Sequence, residues 1–201
     1  MTAVVDHRRR DTRQTLVRAA TGLFRRRGLA ATSVADVCTR GGVTKGVFSH
    51  HFPGGRAELA AEVIRRNGEA VAAQLLTAAD ANATPAALIT AIFSAYADLM
   101  DAKGSDFGCP IAAGVIDGAI VDPDVGAAAR DAFTSWQATL AGAFGDDTLA
   151  EVVVAALEGA ILLARANDDP DALRRVGRQL GQIAPRGGRS SVRPRLRPPT
   201  A

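Results

Sequence analysis

Residues 31–52 read ATSVADVCTRGGVTKGVFSHHF, and the rest of the chain takes its meaning from them. Thr32 or Ser33 can cap a short helix whose Val34 and Val37 face inward, with Cys38 small enough for another helix to approach closely. Gly41-Gly42 breaks that helix, Val43 plugs the gap, and Thr44 can cap a second short helix, Lys45 to His51, with Val47 and Phe48 facing inward. Two short helices around a glycine turn make a helix-turn-helix. In that motif the first helix crosses the phosphate backbone of a duplex and the second puts its N-terminal half into the major groove. Outward positions on the second helix must then be polar or tiny, and Thr44, Lys45, Gly46, Ser49 and His50 are.

Helical periodicity continues on both sides. Leu16, Ala19, Ala20, Leu23 and Phe24 form one apolar stripe with arginines largely off it, and Gly28 closes that helix. Ile89, Ile92, Phe93, Tyr96, Leu99 and Met100 repeat the spacing, as do Val125, Ala129, Phe133, Trp136 and Leu140, whereas no stretch alternates with period two. Thr84-Pro85, Asp122-Pro123 and Asp169-Pro170 each set a capping side chain before a proline at the first helical position. Thr148 with Glu151, and Asp11 with Gln14, offer capping boxes. The spacing predicts an all-α chain of about nine helices. Residues 1–55 would form the helix-turn-helix domain, and 56–184 a second helical domain opened by a long helix from about Arg56 to Ala79. The tail, 185–201, is basic and has almost nothing to bury, which predicts disorder.

The 201 residues suffice for one large domain or two small ones. With 47 % hydrophobic and 22 % charged residues, general disorder is excluded. The longest apolar run, Val152 to Ala164, is interrupted by Glu158 and falls short of the roughly 20 residues that span a bilayer. Arg8, Arg9 and Arg10 stand where a secretory signal would need its apolar segment, so a cytoplasmic protein is expected. Cys38 and Cys109 are too isolated to suggest a disulfide framework or a zinc site. The net charge of +3 hides a division: residues 1–67 carry 13 basic and 5 acidic side chains, 68–184 carry 6 and 16, and the tail has five arginines and no acid. A basic end on an acidic body points to a polyanion met by that end alone.

Leu16-Val17-Arg18-Ala19-Ala20 with Leu23-Phe24, Gly28, Thr32 to Val37, Gly42-Val43-Thr44-Lys45-Gly46, His50-His51-Phe52 and Leu59 together resemble the TetR family of bacterial transcriptional regulators. Pro53-Gly54-Gly55-Arg56, Gly108-Cys109-Pro110-Ile111-Ala112 and Glu158-Gly159-Ala160 through Ala166 look like its LmrA/YxaF-type branch. The resemblance implies an all-helical, two-domain homodimer. Its N-terminal three helices would bind a palindromic operator in double-stranded DNA, and its C-terminal domain a small hydrophobic effector that releases it. In the family a tyrosine usually reaches a phosphate where this chain has Ser49, which keeps one hydrogen-bonding hydroxyl with shorter reach.

The expected DNA contacts are Thr32, Ser33, Thr44, Lys45, Gly46, Ser49, His50, His51 and Arg56. Lys45 suits a phosphate or a guanine edge, against plain solvated charge; His51 suits a phosphate or packing at the helix end, and Arg56 a phosphate at the start of the fourth helix. His50 and His51 do not pair on a metal, because adjacent helical residues point about 100° apart, and no metal or cofactor is expected. Arg8, Arg9 and Arg10 are either an arm toward the minor groove or a frayed basic terminus. Phe93, Tyr96, Met100, Phe107, Phe133 and Trp136 are candidates to line the effector pocket, against the alternative of ordinary core packing. Tyr96 and Trp136, the only Tyr and Trp, each need a polar partner when buried. For the dimer, the segment Val152 to Ala164 is apolar nearly all round, with small Ala155, Ala156, Gly159 and Ala160, and Leu173, Val176, Leu180 and Ile183 form a narrow seam of coiled-coil type. An enzyme is the competing class, but there is no G-x-G-x-x-G opening a helix, no Walker sequence and no H-E-x-x-H. A purely structural dimeric scaffold is the other, separated by whether duplex binding is sequence-selective.

Overall fold

A computed structural model describes residues 2–104, 106–118 and 122–185, with side chains from residue 11. Among these residues there are nine helices and no strand: α1 (Thr2–Arg27), α2 (Val34–Gly41), α3 (Lys45–His51), α4 (Gly55–Ala81), α5 (Pro85–Lys103), α6 (Pro110–Asp117), α7 (Pro123–Phe144), α8 (Asp147–Asn167) and α9 (Asp171–Ile183). Thr84 and Asp122 cap α5 and α7 as their sequence predicts, each accepting a backbone N–H ahead of a proline in the first turn. No helix is long and apolar enough to cross a membrane.

Three helix starts differ from the expectation. Helix α1 begins at Thr2, so Asp11 and Gln14 lie inside it and make no capping box; no Gly or Pro interrupts the preceding residues. Arg8, Arg9 and Arg10 are therefore helical, and their side chains, like the tail from 186, lie outside the described residues. Asp146 rather than Thr148 caps α8, because Gly145 ends α7 in the left-handed conformation and Asp146 is the next side chain able to take the Leu149 N–H. Pro170 precedes α9 instead of opening it, yet Asp169 still accepts the Asp171 N–H at 3.1 Å.

Leu16, Phe24, Val37, Phe48, Phe52 and Leu59 bury themselves together and bind α1, α2, α3 and the start of α4 into one unit. Val47, expected inside, is 38 % exposed. Phe48 and Phe52, one turn apart with ring centroids at 5.6 Å, fill the interior, and Val47 is rotated about 100° away from Phe48.

In the second half, α4 lies along α7 and α9 along α5. Gly68 permits the first contact, since a Cβ there would stand 2.7 Å from Ala132 Cβ, and the Trp136 indole donates to the Gly68 carbonyl at 2.9 Å. Gly177 permits the second, with Phe93 Cβ only 2.5 Å from where its own Cβ would be. These contacts engage several residues expected at the dimer surface. Leu173 is fully buried, and Val176 and Leu180 are half-buried against the core of their own chain, so the α9 seam packs on α5, while Ile183 at its end is exposed. Ala160 is buried too. What α8 turns outward is Val152, Ala155, Leu162 and Leu163, with nothing near Gly159; Leu162 and Leu163 are more than half exposed.

Candidate nucleic-acid interface and effector pocket

Ser33 caps α2 through a reciprocal box: its hydroxyl accepts the Asp36 N–H while Asp36 accepts the Ser33 N–H at 2.9 Å. The Ser33 hydroxyl and backbone, then Arg27 at 2.8 Å, hold the Asp36 carboxyl down at about 2. Gly42 turns the chain at φ 64°, which favours glycine, and its N–H returns to the α2 carbonyls. Thr44 caps α3. Arg13 pins the far end of α3 to the scaffold: its guanidinium donates to the His51 carbonyl, lies 4.3 Å from the centre of the Phe52 ring and faces Glu58 and Glu62 at 3.4 and 3.7 Å.

The scaffold leaves Thr44, Lys45, Gly46, Ser49 and His50 exposed on α3, joined by Val47. His51 is half-buried. Thr32 does not share this surface: it is 1 % exposed and its hydroxyl donates to the Gly28 carbonyl at 2.8 Å, closing the end of α1. Arg56 is exposed, but one of its amino groups is turned to the carbonyls of Leu29, Ala30 and Thr32 at 3.4–3.5 Å, so it also braces the α1–α2 loop. Sequence reasoning missed Arg13 and the exposure of Val47; an arginine on the mixed face of α1 carries no local sign of the aromatic it covers. Among the described residues no three His, Cys, Asp or Glu gather as a metal set.

A second feature lies between α4, α5, α7 and α8. It is a cavity of about 420 Å³, walled by apolar side chains including Val71, Leu75, Ile92 and Leu157. This volume is in the range of about 300–1,000 Å³ usual for small-molecule sites. Of the six predicted lining residues, Tyr96, Phe107 and Trp136 reach it. Phe93 and Met100 are fully buried outside it, Phe93 against Gly177, and Phe133 stands edge-on behind Trp136 at 5.3 Å. Helical spacing groups residues by face, but a core helix packs on two sides and its stripe serves both.

The cavity's polar wall was not foreseen. Arg25 of α1 reaches it, 4.4 Å from the Phe107 ring centre, and donates to Asn67 Oδ1 at 3.0 Å. Glu158 faces it from α8 and Cys109 from the start of α6, their side chains hydrogen-bonded to each other. Burial drives the Glu158 carboxyl up to about 7 against the Cys109 hydrogen bond and the Arg25 charge, and pushes the Cys109 thiol up as well. A lone carboxylate inside the apolar run from Val152 to Ala164 was the available sequence signal. Beside this wall, the Gly108 N–H donates to the Arg25 carbonyl at 3.0 Å, and Arg165 donates to the carbonyls of Arg25 and Arg26 at 3.1 and 3.0 Å. A side chain at Gly108 would collide with Arg165 and the Arg25 carbonyl, so glycine is needed for the end of α1 to dock here.

Residues 16–63 match the model of the bacterial regulatory proteins of the tetR family, and 85–179 that of the transcriptional regulator LmrA/YxaF-like C-terminal domain. The HTH-type transcriptional regulator Rv0196 of Mycobacterium tuberculosis is 35 % identical over 85 % of this chain and 93 % of its own length. The chain belongs to the TetR family. Within it, YxaF of Bacillus subtilis is 25 % identical over 90 % of this chain and 98 % of its own. The crystal structure of a TetR regulatory protein from Rhodobacter sphaeroides superposes with a TM-score of 0.73 at 26 % identity, covering 84 % of this chain and 96 % of that one. This TetR-family protein is thus a DNA-binding transcriptional regulator with an LmrA/YxaF-like C-terminal domain, and its relatives are regulators rather than enzymes.

Proposed function

We propose that the regulator is a repressor that binds a palindromic operator as a homodimer and is released by a small hydrophobic effector. In this reading residues 1–55 read the DNA, and 56–184 hold the effector and the partner subunit. The observation that carries it is the cavity wall at Arg25: a residue of the DNA-reading unit lines an apolar pocket in the other half, and the backbone beside it is tied there by Gly108 and Arg165. A ligand that displaces Phe107 or Arg25 strains those ties and tilts α1, while α4 runs from the pocket directly back to α3. Paired half-sites about 34–36 Å apart tolerate little change in the separation of the reading helices. Coupling of about 1–3 kcal/mol then lowers operator affinity roughly 5- to 150-fold, and operator must weaken the ligand by the same factor.

Selection of genomic fragments on the purified protein tests the operator. The expected product is a dyad-symmetric site, and recovered sites without symmetry would refute the palindrome. On that site, Lys45→Ala should weaken binding about equally for operator and unrelated duplex and lower the salt slope by about 1, the signature of one phosphate contact; a loss confined to operator would make Lys45 a base reader. Ser49→Tyr should tighten both duplexes by about 1 kcal/mol if the position faces a phosphate. Weaker binding of both would mean that the docking has adapted to serine.

A further inference from the structure

The effector cavity carries polar groups at one end that a purely apolar ligand would leave unused. The Tyr96 hydroxyl is buried there and has no hydrogen-bond partner, the single such side-chain atom among the described residues. Buried polar atoms are nearly always paired, so an orphan on a cavity wall marks a position that a ligand atom can take. Glu158 presents a carboxylate to the same cavity, and the group bonded to it is the Cys109 thiol, a weak donor. Among the described residues the one cation on the wall, Arg25, is already engaged by Asn67 and by the Phe107 ring. The wall therefore offers a carboxylate in want of a strong donor and, beside it, a hydroxyl able both to donate and to accept.

We propose that the cavity takes an apolar, largely aromatic molecule with a single hydrogen-bond-donor head, a hydroxyl or an ammonium, seated between the Glu158 carboxylate and the Tyr96 hydroxyl. The assignment rests on the effector reading above and names the chemistry of its ligand. Apolar walls such as Val71, Leu75, Ile92 and Leu157 take the body of the molecule, and Trp136 and Phe107 add aromatic faces. A carboxylate head would meet Glu158 as a like charge and find Arg25 occupied. A head without a donor could take the Tyr96 O–H but would leave the Glu158 carboxylate with only the weak Cys109 donor, the costly case.

The groups that face Glu158 and its neighbour Tyr96 are Arg25 from α1, Cys109 at the start of α6 and Arg165 on α8 itself, and among the described residues no histidine lines the cavity. A donor head favours the ionised carboxylate, whose pKa burial has raised to about 7, so binding tightens as pH rises through that value.

Four anthracene probes that differ in the 9-substituent test this on the full chain: 9-(aminomethyl)anthracene, 9-(hydroxymethyl)anthracene, 9-methylanthracene and anthracene-9-carboxylate, titrated against the emission of Trp136, the chain's only tryptophan. At least one donor-headed probe is expected to bind about tenfold or more tighter than the methyl and carboxylate probes. The ammonium or the alcohol being preferred tells which donor the site is built for. Glu158→Gln should abolish the tightening with pH. Tyr96→Phe should weaken the donor-headed probes without lowering the melting temperature, because the hydroxyl removed bonds to nothing in the free protein. Equal binding of all four, tightest binding of the carboxylate, or no binding would each overturn the proposal. Operator release is scored separately on the same samples. Probes that bind with the stated preference yet leave operator bound would remove the effector reading and leave the site's donor preference standing.

Discussion

Replacing Leu162 and Leu163 together by glutamate is expected to leave each subunit folded and to lower operator affinity by roughly 10²- to 10⁴-fold, the range in which two linked binding units exceed one. Both side chains stand on the outward face of α8, more than half exposed, beside Val152 and the open surface at Gly159. Soluble monomers seldom leave so large an apolar stripe in water, and TetR regulators are dimers, so this stripe is the surface we assign to the partner subunit. Four carboxylates brought into such an interface would have to be desolvated without partners, which the complex cannot sustain. Sedimentation should report a monomer and circular dichroism an unchanged helix content. A variant that still sediments as a dimer would show that the subunits meet elsewhere.

Glu158→Gln is expected to stabilise the folded protein by about 3 kcal/mol at pH 8 and hardly at all below pH 4.5. In the folded chain burial raises the carboxyl to about 7, whereas in the unfolded chain it returns to about 4.3. Between those values the folded state holds a proton that the unfolded state has lost, so stability falls as pH rises through the window and the whole penalty is present above it. At 1.36 kcal/mol per pKa unit the full penalty would be about 3.7 kcal/mol, and contact of Glu158 with solvent brings it down to about 3. Glutamine has the same shape and no charge to bury. Thermal unfolding of parent and variant should coincide in acid and diverge through neutral pH; parallel curves would mean that ionisation of Glu158 is not what destabilises the parent. Nothing in the stability of the fold favours a glutamate here, which accords with a ligand-facing role.

Much of this molecule is legible before folding. The helix-turn-helix follows from Ser33, Gly42 and Thr44, because caps and glycine turns act within a few residues and need no tertiary partner. The proline-led starts of α5 and α7 are legible for the same reason. The exposed face of α3 is nearly so, with Val47 as the exception, since a seven-residue helix is too short for its pattern to say which of two adjacent apolar residues is inside.

By itself, then, the sequence determined the helices, the reading head and the family, all matters of local chemistry and contiguous pattern. Which apolar stripe meets which was decided only by the tertiary structure. The Leu173–Val176–Leu180 seam would suit a partner subunit as well as α5, and it was the missing Cβ of Gly177, letting Phe93 in, that set it against α5, while Leu162 and Leu163 of α8 stay exposed. The cavity's polar end is decided in the same way. Arg25, Tyr96, Cys109 and Glu158 come from four different helices or their ends, and they meet because Gly108 lets the end of α1 dock and the walls stop short of filling the space between α4, α5, α7 and α8. Packing is a property of shapes facing each other across space, and sequence spacing records one face at a time.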